Sequence, residues 1–115
     1  DATRDRVYLP LDLLGAHGVA DGEAARMMAA PGVQGAAGVL AAQAEAGFAR
    51  AEAELRAFDN PALLPARIMM WGYRRIFDRL VARGFGPPRA RPRLTAGEKA
   101  RMAAYALRLA PVAAR

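Results

Sequence analysis

A row of apolar residues between Val33 and Phe58 constrains the fold of this chain more than any other feature of its sequence. The row advances in steps of three and four residues, which places its members on one face of a single helix. A half-buried strand would alternate with a period of two, and no stretch of the chain does so. The pattern therefore predicts one long helix with apolar positions Val33, Ala37, Leu40, Ala44, Phe48, Ala51, Leu55 and Phe58.

The composition also favours an all-α fold. Hydrophobic residues make up 54% of the 115 residues, and many are alanines, which favour helix but bury little area. Residue types that favour strands are scattered. A chain of this length can bury a modest core. We predict an all-α chain in which two long helices pack antiparallel with shorter ones.

Turn and cap residues indicate where the other helices begin and end. The sequence predicts short helices over 9–14 and through Met27 and Met28, a long helix from about Ala62 to Arg83, and a last helix after Thr95. We expect Asp59 or Asn60 to cap the third of these, Gly84 to end it, and Thr95 with Glu98 to form a capping box. The predicted inward positions of the last two helices are Met69, Tyr73, Ile76, Phe77 and Leu80, and then Met102, Tyr105, Ala106 and Leu109.

Residue types exclude several kinds of site. The chain has no cysteine, which rules out disulfides and thiolate metal sites, and a single histidine, His17, argues against a zinc site. The net charge of +6 comes almost entirely from arginine, since Lys99 is the only lysine. This bias is typical of a GC-rich genome, and it leaves a mild positive field suited to anionic partners. We expect Arg74 and Arg75 to lie on a solvated face.

Two segments carry a resemblance to a known family. Residues 1–10 read Asp-x-x-x-x-Arg-Val-Tyr-Leu-Pro, and residues 65–80 read Pro-Ala-Arg-Ile-Met-Met-x-x-Tyr-x-x-Ile-Phe-Asp-Arg-Leu. Between them lie a Leu-rich segment and the long helix, and a Gly-Phe step and a basic stretch follow. In this order the segments resemble the C-terminal part of squalene/phytoene synthases, most closely the bacterial presqualene diphosphate synthases of hopanoid biosynthesis.

The resemblance implies a fold and a reaction. The fold would be the C-terminal helices of an isoprenoid-synthase-type helical bundle. The family condenses two prenyl diphosphates head to head, and two aspartate-rich motifs hold Mg²⁺ ions that neutralise the leaving diphosphate. Farnesyl diphosphate is the expected substrate. Phytoene or dehydrosqualene synthase is the alternative within the family, and a non-catalytic homologue is another.

The resemblance also assigns residues by position. It implies a magnesium ligand at Asp1, diphosphate-binding side chains at Arg6, Tyr73 and Arg91, and a prenyl pocket that includes Met69, Ile76 and Phe77. A surface aspartate at Asp1 and a core aromatic at Tyr73 are the competing interpretations. The assignment of Arg91 requires a shift of one residue, and Arg89 is the next choice.

The sequence departs from the family pattern in what it lacks. The first aspartate-rich motif is absent, as is the earlier carboxylate of the second. We therefore expect residues 1–115 to be a single partial domain that is inactive without the N-terminal helices of a parent chain. No apolar run approaches the roughly 20 residues of a membrane span, so we expect a soluble or peripheral protein, located in the cytoplasm or at the inner membrane face.

Two hypotheses lie outside this family. The positive charge and the basic segment 89–93 suit a helical module that binds nucleic acid or an acidic partner. Against this, the arginines are spread around the helices and no helix-turn-helix or base-stacking surface is evident, so we do not expect nucleic-acid binding. The other hypothesis is a helical interaction domain without a small-molecule site.

Overall fold

A computed structural model describes residues 6–86 and 91–113. Within these segments every regular element is helical and no strand occurs, which confirms the predicted all-α class. The elements are α1 (Leu11–Ala16), α2 (Ala24–Ala29), α3 (Gly32–Ala57), a 3₁₀ turn (Pro61–Leu63), α4 (Leu64–Arg83) and α5 (Ala96–Ala106). None of these helices has the length and apolar character needed to cross a membrane.

The chain divides into two compact units. Of the described residues, 6–44 and 83–86 belong to the first unit, and 45–82 and 91–113 belong to the second. Helix α3 begins in the first unit and ends in the second.

The first unit has a small apolar core formed by two short helices and the start of α3. Its buried side chains are Leu14, Val19, Met27, Val33 and Ala36, with Val7, Leu9, Leu13, Met28 and Ala30 packed against them. Because each short helix buries only one or two side chains, neither supplies a core by itself, and their stability depends on this shared cluster.

Two glycines at the start of α3 allow the turn after α1 to approach closely. A Cβ at Gly32 would collide with the main-chain carbonyl oxygen of His17, and one at Gly35 would lie 2.6 Å from the Cδ2 of its imidazole. The His17 Nδ1 lies 2.9 Å from the carbonyl oxygen of Leu13. His17 is therefore a packing residue of the first unit.

The caps and ends of the helices follow the sequence closely. Asn60 accepts a hydrogen bond from the Ala62 amide at 2.9 Å, and the predicted capping box of Thr95 and Glu98 is present. Gly84 adopts a left-handed φ of 75° directly after α4, a conformation that costs little only for glycine. These boundaries were predictable because each depends on neighbouring residues alone.

The second unit packs around Trp71 and Tyr105. The two rings meet edge to face, with centroids 5.5 Å apart, and both side chains are buried. Gly72 allows α5 to approach α4, since a Cβ there would lie 3.1 Å from the sulfur of Met102. The aromatic pair and this close approach hold the last two helices together.

The predicted inward faces of the last two helices are partly wrong. On α4, Met69 and Tyr73 are 55% and 58% exposed, whereas Trp71, Gly72 and Arg74 are buried. On α5 only Tyr105 is buried, and the helix ends at Ala106 before the exposed Leu109. The buried face of α4 is rotated around the helix axis relative to the predicted face, because Trp71 and Gly72 make the close contacts with α5. A prediction from the spacing of apolar side chains does not include a glycine.

Candidate functional site

The residues that the sequence assigns to a prenyl diphosphate site lie in different parts of the fold. Asp1 lies outside the described residues. Arg6 is exposed in the first unit, before α1. The other assigned residues belong to the second unit: Met69, Tyr73, Ile76 and Phe77 on α4, and Arg91 in the segment that precedes α5.

The assigned residues of α4 form a stripe on one side of the helix, which we call the Tyr73 face: Met69, Tyr73, Ile76 and Phe77. Steps of three and four residues bring them together. The first two are more than half exposed, and the last two are partly buried. The Tyr73 face thus presents an apolar surface with a phenolic hydroxyl. The interpretation of Tyr73 as a core aromatic does not hold for this structure.

Phe77 connects the Tyr73 face to α3. Its ring lies 5.2 Å from that of Phe48, with the planes tilted by 42°. The guanidinium of Arg74 lies 5.4 Å and 5.7 Å from the centroids of these two rings. A cation this close to an aromatic face is attracted by the ring quadrupole, so Arg74 helps to hold the two rings together.

Among the described residues of the second unit, Arg74 carries the buried charge, with a side chain only 4% exposed. One terminal nitrogen, Nη2, donates to the Glu45 carboxylate at 2.7 Å, and Nε lies 3.1 Å from the Asp78 carboxylate. The hydrogen bond to Glu45 raises the pKa of Arg74 further above its ordinary value, so the guanidinium stays charged. The expectation that Arg74 lies on a solvated face is wrong. Asp78 follows Arg74 by four residues, a spacing typical of an ion pair within a helix. Nothing in the sequence indicates the other partner, Glu45 on α3.

A second ion pair ties the segment that carries Arg91 to α4. Arg79 donates to the Glu98 carboxylate at 2.6 Å and to the main-chain oxygen of Arg93 at 3.0 Å. The Arg79 hydrogen bond, followed by the main-chain N–H of Thr95, lowers the pKa of Glu98 to about 2. This contact fixes the start of α5 against the helix that bears Tyr73.

A groove opens on the side of α4 opposite the Tyr73 face, with a volume of about 610 Å³. We call it the α4 groove; its lining residues are Glu52, Leu55, Arg56, Leu64, Arg67, Met70, Trp71, Arg74, Arg75, Asp78, Pro111, Val112 and Ala113. None of the residues of the Tyr73 face is among them. Nothing in the sequence predicts this groove, because three separate segments of the chain form it.

The described residues do not form a metal site by themselves. Within 6–86 and 91–113, no three histidine, cysteine or carboxylate side chains come together in a group that could hold a metal ion. Mg²⁺ prefers several oxygen ligands, usually carboxylates with water. The predicted ligand at Asp1 therefore has no carboxylate cluster to join in this part of the chain.

The comparison with known families gives one clear result. The family model of squalene/phytoene synthase matches residues 1–98, which is most of the chain and includes the Tyr73 face and the segment with Arg91. No curated protein and no solved structure matches the chain. The family is one of prenyltransferases that join isoprenoid units head to head. The extent of the match and the all-α fold agree, and the chain belongs to the squalene/phytoene synthase family.

Proposed function

We propose that this chain is part of a magnesium-dependent prenyltransferase that condenses two molecules of farnesyl diphosphate into presqualene diphosphate. The observation that carries the proposal is the family match over residues 1–98, which includes all the residues assigned to the substrate. The open Tyr73 face supports it, because a prenyl chain needs apolar contacts beside a polar group that holds the headgroup.

The chemistry of the assigned residues suits a prenyl diphosphate. Arginine presents N–H donors in a fork that matches phosphate oxygens, and Arg6 and Arg91 would bind the diphosphate in this way. The hydroxyl of Tyr73 would donate one further hydrogen bond. Met69, Ile76 and Phe77 would contact the prenyl chain. The Arg79–Glu98 contact would hold the segment of Arg91 in a fixed position relative to α4.

Asp1 is the residue of this chain to which we assign a role in binding Mg²⁺. Bound Mg²⁺ supplies positive charge that stabilises a departing diphosphate. Because the described residues form no carboxylate cluster, Asp1 would act with carboxylates contributed by further helices of a whole protein. In that protein the present chain would supply the diphosphate donors and part of the pocket.

Kinetics of the whole protein test the assignment of Tyr73. Tyr73→Phe removes one hydrogen bond to a charged group, and such a bond typically contributes about 1.5–3 kcal/mol. We expect kcat/KM for farnesyl diphosphate to fall roughly 10- to 100-fold. Arg101→Gln on the exposed side of α5 is the control and should leave kcat/KM unchanged. Equal kinetics for Tyr73→Phe and the unmodified protein would refute the assignment.

Substrate preference separates the alternatives within the family. A faster reaction with geranylgeranyl diphosphate than with farnesyl diphosphate would favour a phytoene synthase. Binding of either diphosphate without any turnover would favour a non-catalytic homologue.

A further inference from the structure

The α4 groove lies away from the residues used in the proposed function. At 3.6 residues per turn, Trp71 and Arg75 project from the side of α4 opposite Tyr73. All the lining residues belong to the second unit. None of them belongs to the Tyr73 face, so a ligand in this groove would contact different side chains.

Part of the groove wall is apolar, and the volume of the groove suits a small molecule. Leu55, Leu64, Met70, Trp71 and Val112 contribute apolar surface. A volume of about 610 Å³ falls within the range of roughly 300–1,000 Å³ that is usual for ligand pockets. These features suit a flexible hydrocarbon chain.

The charges of the groove favour an anion. Four arginines and two carboxylates line it, and one of the carboxylates, Asp78, already pairs with Arg74. Arg56 and Arg75 form no ion pair with any of the residues that the structure describes. Arg67 donates one terminal N–H to the main-chain oxygen of Phe58 at 2.6 Å, which leaves further donors on the same guanidinium. The groove thus has more positive charge than its own acids neutralise.

The indole of Trp71 is a further feature that favours a ligand in the groove. Its side chain lines the groove and is only 4% exposed, yet its indole N–H finds no acceptor among the described residues. The guanidinium of Arg75 lies 4.8 Å from the centroid of the Trp71 rings. A buried donor without an acceptor is uncommon in a folded protein and costs about 1–3 kcal/mol. An acceptor from a ligand would relieve that cost after a small movement of the ring.

We propose that the α4 groove binds a single-chain amphiphile with a phosphate or diphosphate headgroup, taken up as a dissolved monomer. The headgroup contacts Arg75 and Arg56 and lies beside the Trp71 indole. The chain lies along the apolar surface of Leu55, Leu64 and Val112. The site is separate from the one proposed for the condensing substrates, and it requires no covalent chemistry.

Titration with dodecyl phosphate below its micelle concentration tests this site. Trp71 is the only tryptophan of the chain, so its fluorescence reports binding in the groove directly. We expect a saturable change with dodecyl phosphate and an affinity at least tenfold weaker for dodecyl maltoside, which has the same chain and no charge. Equal affinities for the two would overturn the proposal, because the arginines would then contribute nothing.

Calorimetry on variants locates the headgroup without relying on fluorescence. Arg75→Gln and Arg56→Gln should each weaken dodecyl phosphate binding roughly tenfold, the loss expected for one charge-assisted hydrogen bond. Arg101→Gln, outside the groove, is the matched control and should bind normally. An equal loss in the control would overturn the proposal in favour of general charge attraction.

Two further results distinguish this site from other interpretations. Tyr73→Phe should leave dodecyl phosphate binding unchanged, and a loss of affinity would place the amphiphile on the Tyr73 face instead. Binding to phosphatidylglycerol vesicles without binding to monomeric dodecyl phosphate would show a membrane surface contact and contradict a single-molecule site.

Discussion

Removing the two acidic partners of Arg74 is expected to destabilise the second unit more than removing Arg74 itself. The reason is a difference in burial. The Arg74 side chain is 4% exposed, whereas those of Glu45 and Asp78 are 49% and 48% exposed. A carboxylate at the surface regains water when its partner is lost, but a buried guanidinium does not.

The two perturbations differ in expected magnitude. Arg74→Met keeps a long apolar side chain beside Phe48 and Phe77 and removes the charge, so the loss is about 1.5–3 kcal/mol of charge-assisted hydrogen bonding. Glu45→Ala with Asp78→Ala leaves the buried guanidinium without its two nearest acids. Breaking a buried pair in this way typically costs about 3–5 kcal/mol.

Equilibrium unfolding in urea measures both variants. Trp71 fluorescence follows the second unit, because the chain has no other tryptophan, and circular dichroism follows the helices of both units. Arg101→Met on the exposed side of α5 is the control and should change the free energy of unfolding by less than about 0.5 kcal/mol. If Arg74→Met costs as much as the double variant or more, the difference in burial does not govern this ion pair.

The pKa of Glu98 is held at about 2 against an ordinary 4.5, so its contribution to stability is present above pH 4.5 and is lost as the pH falls toward 2. Glu98→Gln should therefore flatten the fall of Tm between those pH values, and an unchanged fall would exclude this group as its source. Gly32→Ala should destabilise the chain by about 1–3 kcal/mol in urea unfolding, because its Cβ meets a main-chain oxygen. Gly38→Ala, which meets nothing within 4 Å, should instead stabilise it by up to about 1 kcal/mol, and the opposite order would contradict the packing of α3. Tyr73→Phe should leave the free energy of unfolding within about 0.5 kcal/mol of the unmodified chain, since Tyr73 is 58% exposed, and a larger loss would assign Tyr73 a packing role.

Local signals in the sequence predicted the helices well. The steps of three and four residues gave α3 to within one residue at either end, and the cap residues Asn60 and Thr95 lie where the helices start. The conformation of Gly84 was equally predictable. Each of these features depends on interactions within a few residues of the chain, which the sequence displays directly.

Contacts between distant segments were not predictable in the same way. The partner of Arg74 on α3 lies 29 residues away, and no periodic pattern links the two. The burial of Gly72 and Trp71 rather than Tyr73 depends on where Met102 and Tyr105 pack. The substrate residues were assigned through the family resemblance, whereas the periodicity of the sequence placed Tyr73 on the inward face of α4, where the structure does not have it.

Product analysis tests the central claim most directly. A whole protein that contains this chain would be incubated with farnesyl diphosphate and Mg²⁺, and its products identified by mass spectrometry. We expect the unmodified protein to form presqualene diphosphate and the Asp1→Ala variant to form none. A protein that binds farnesyl diphosphate yet forms no head-to-head product, or an Asp1→Ala variant with full activity, would contradict the central claim.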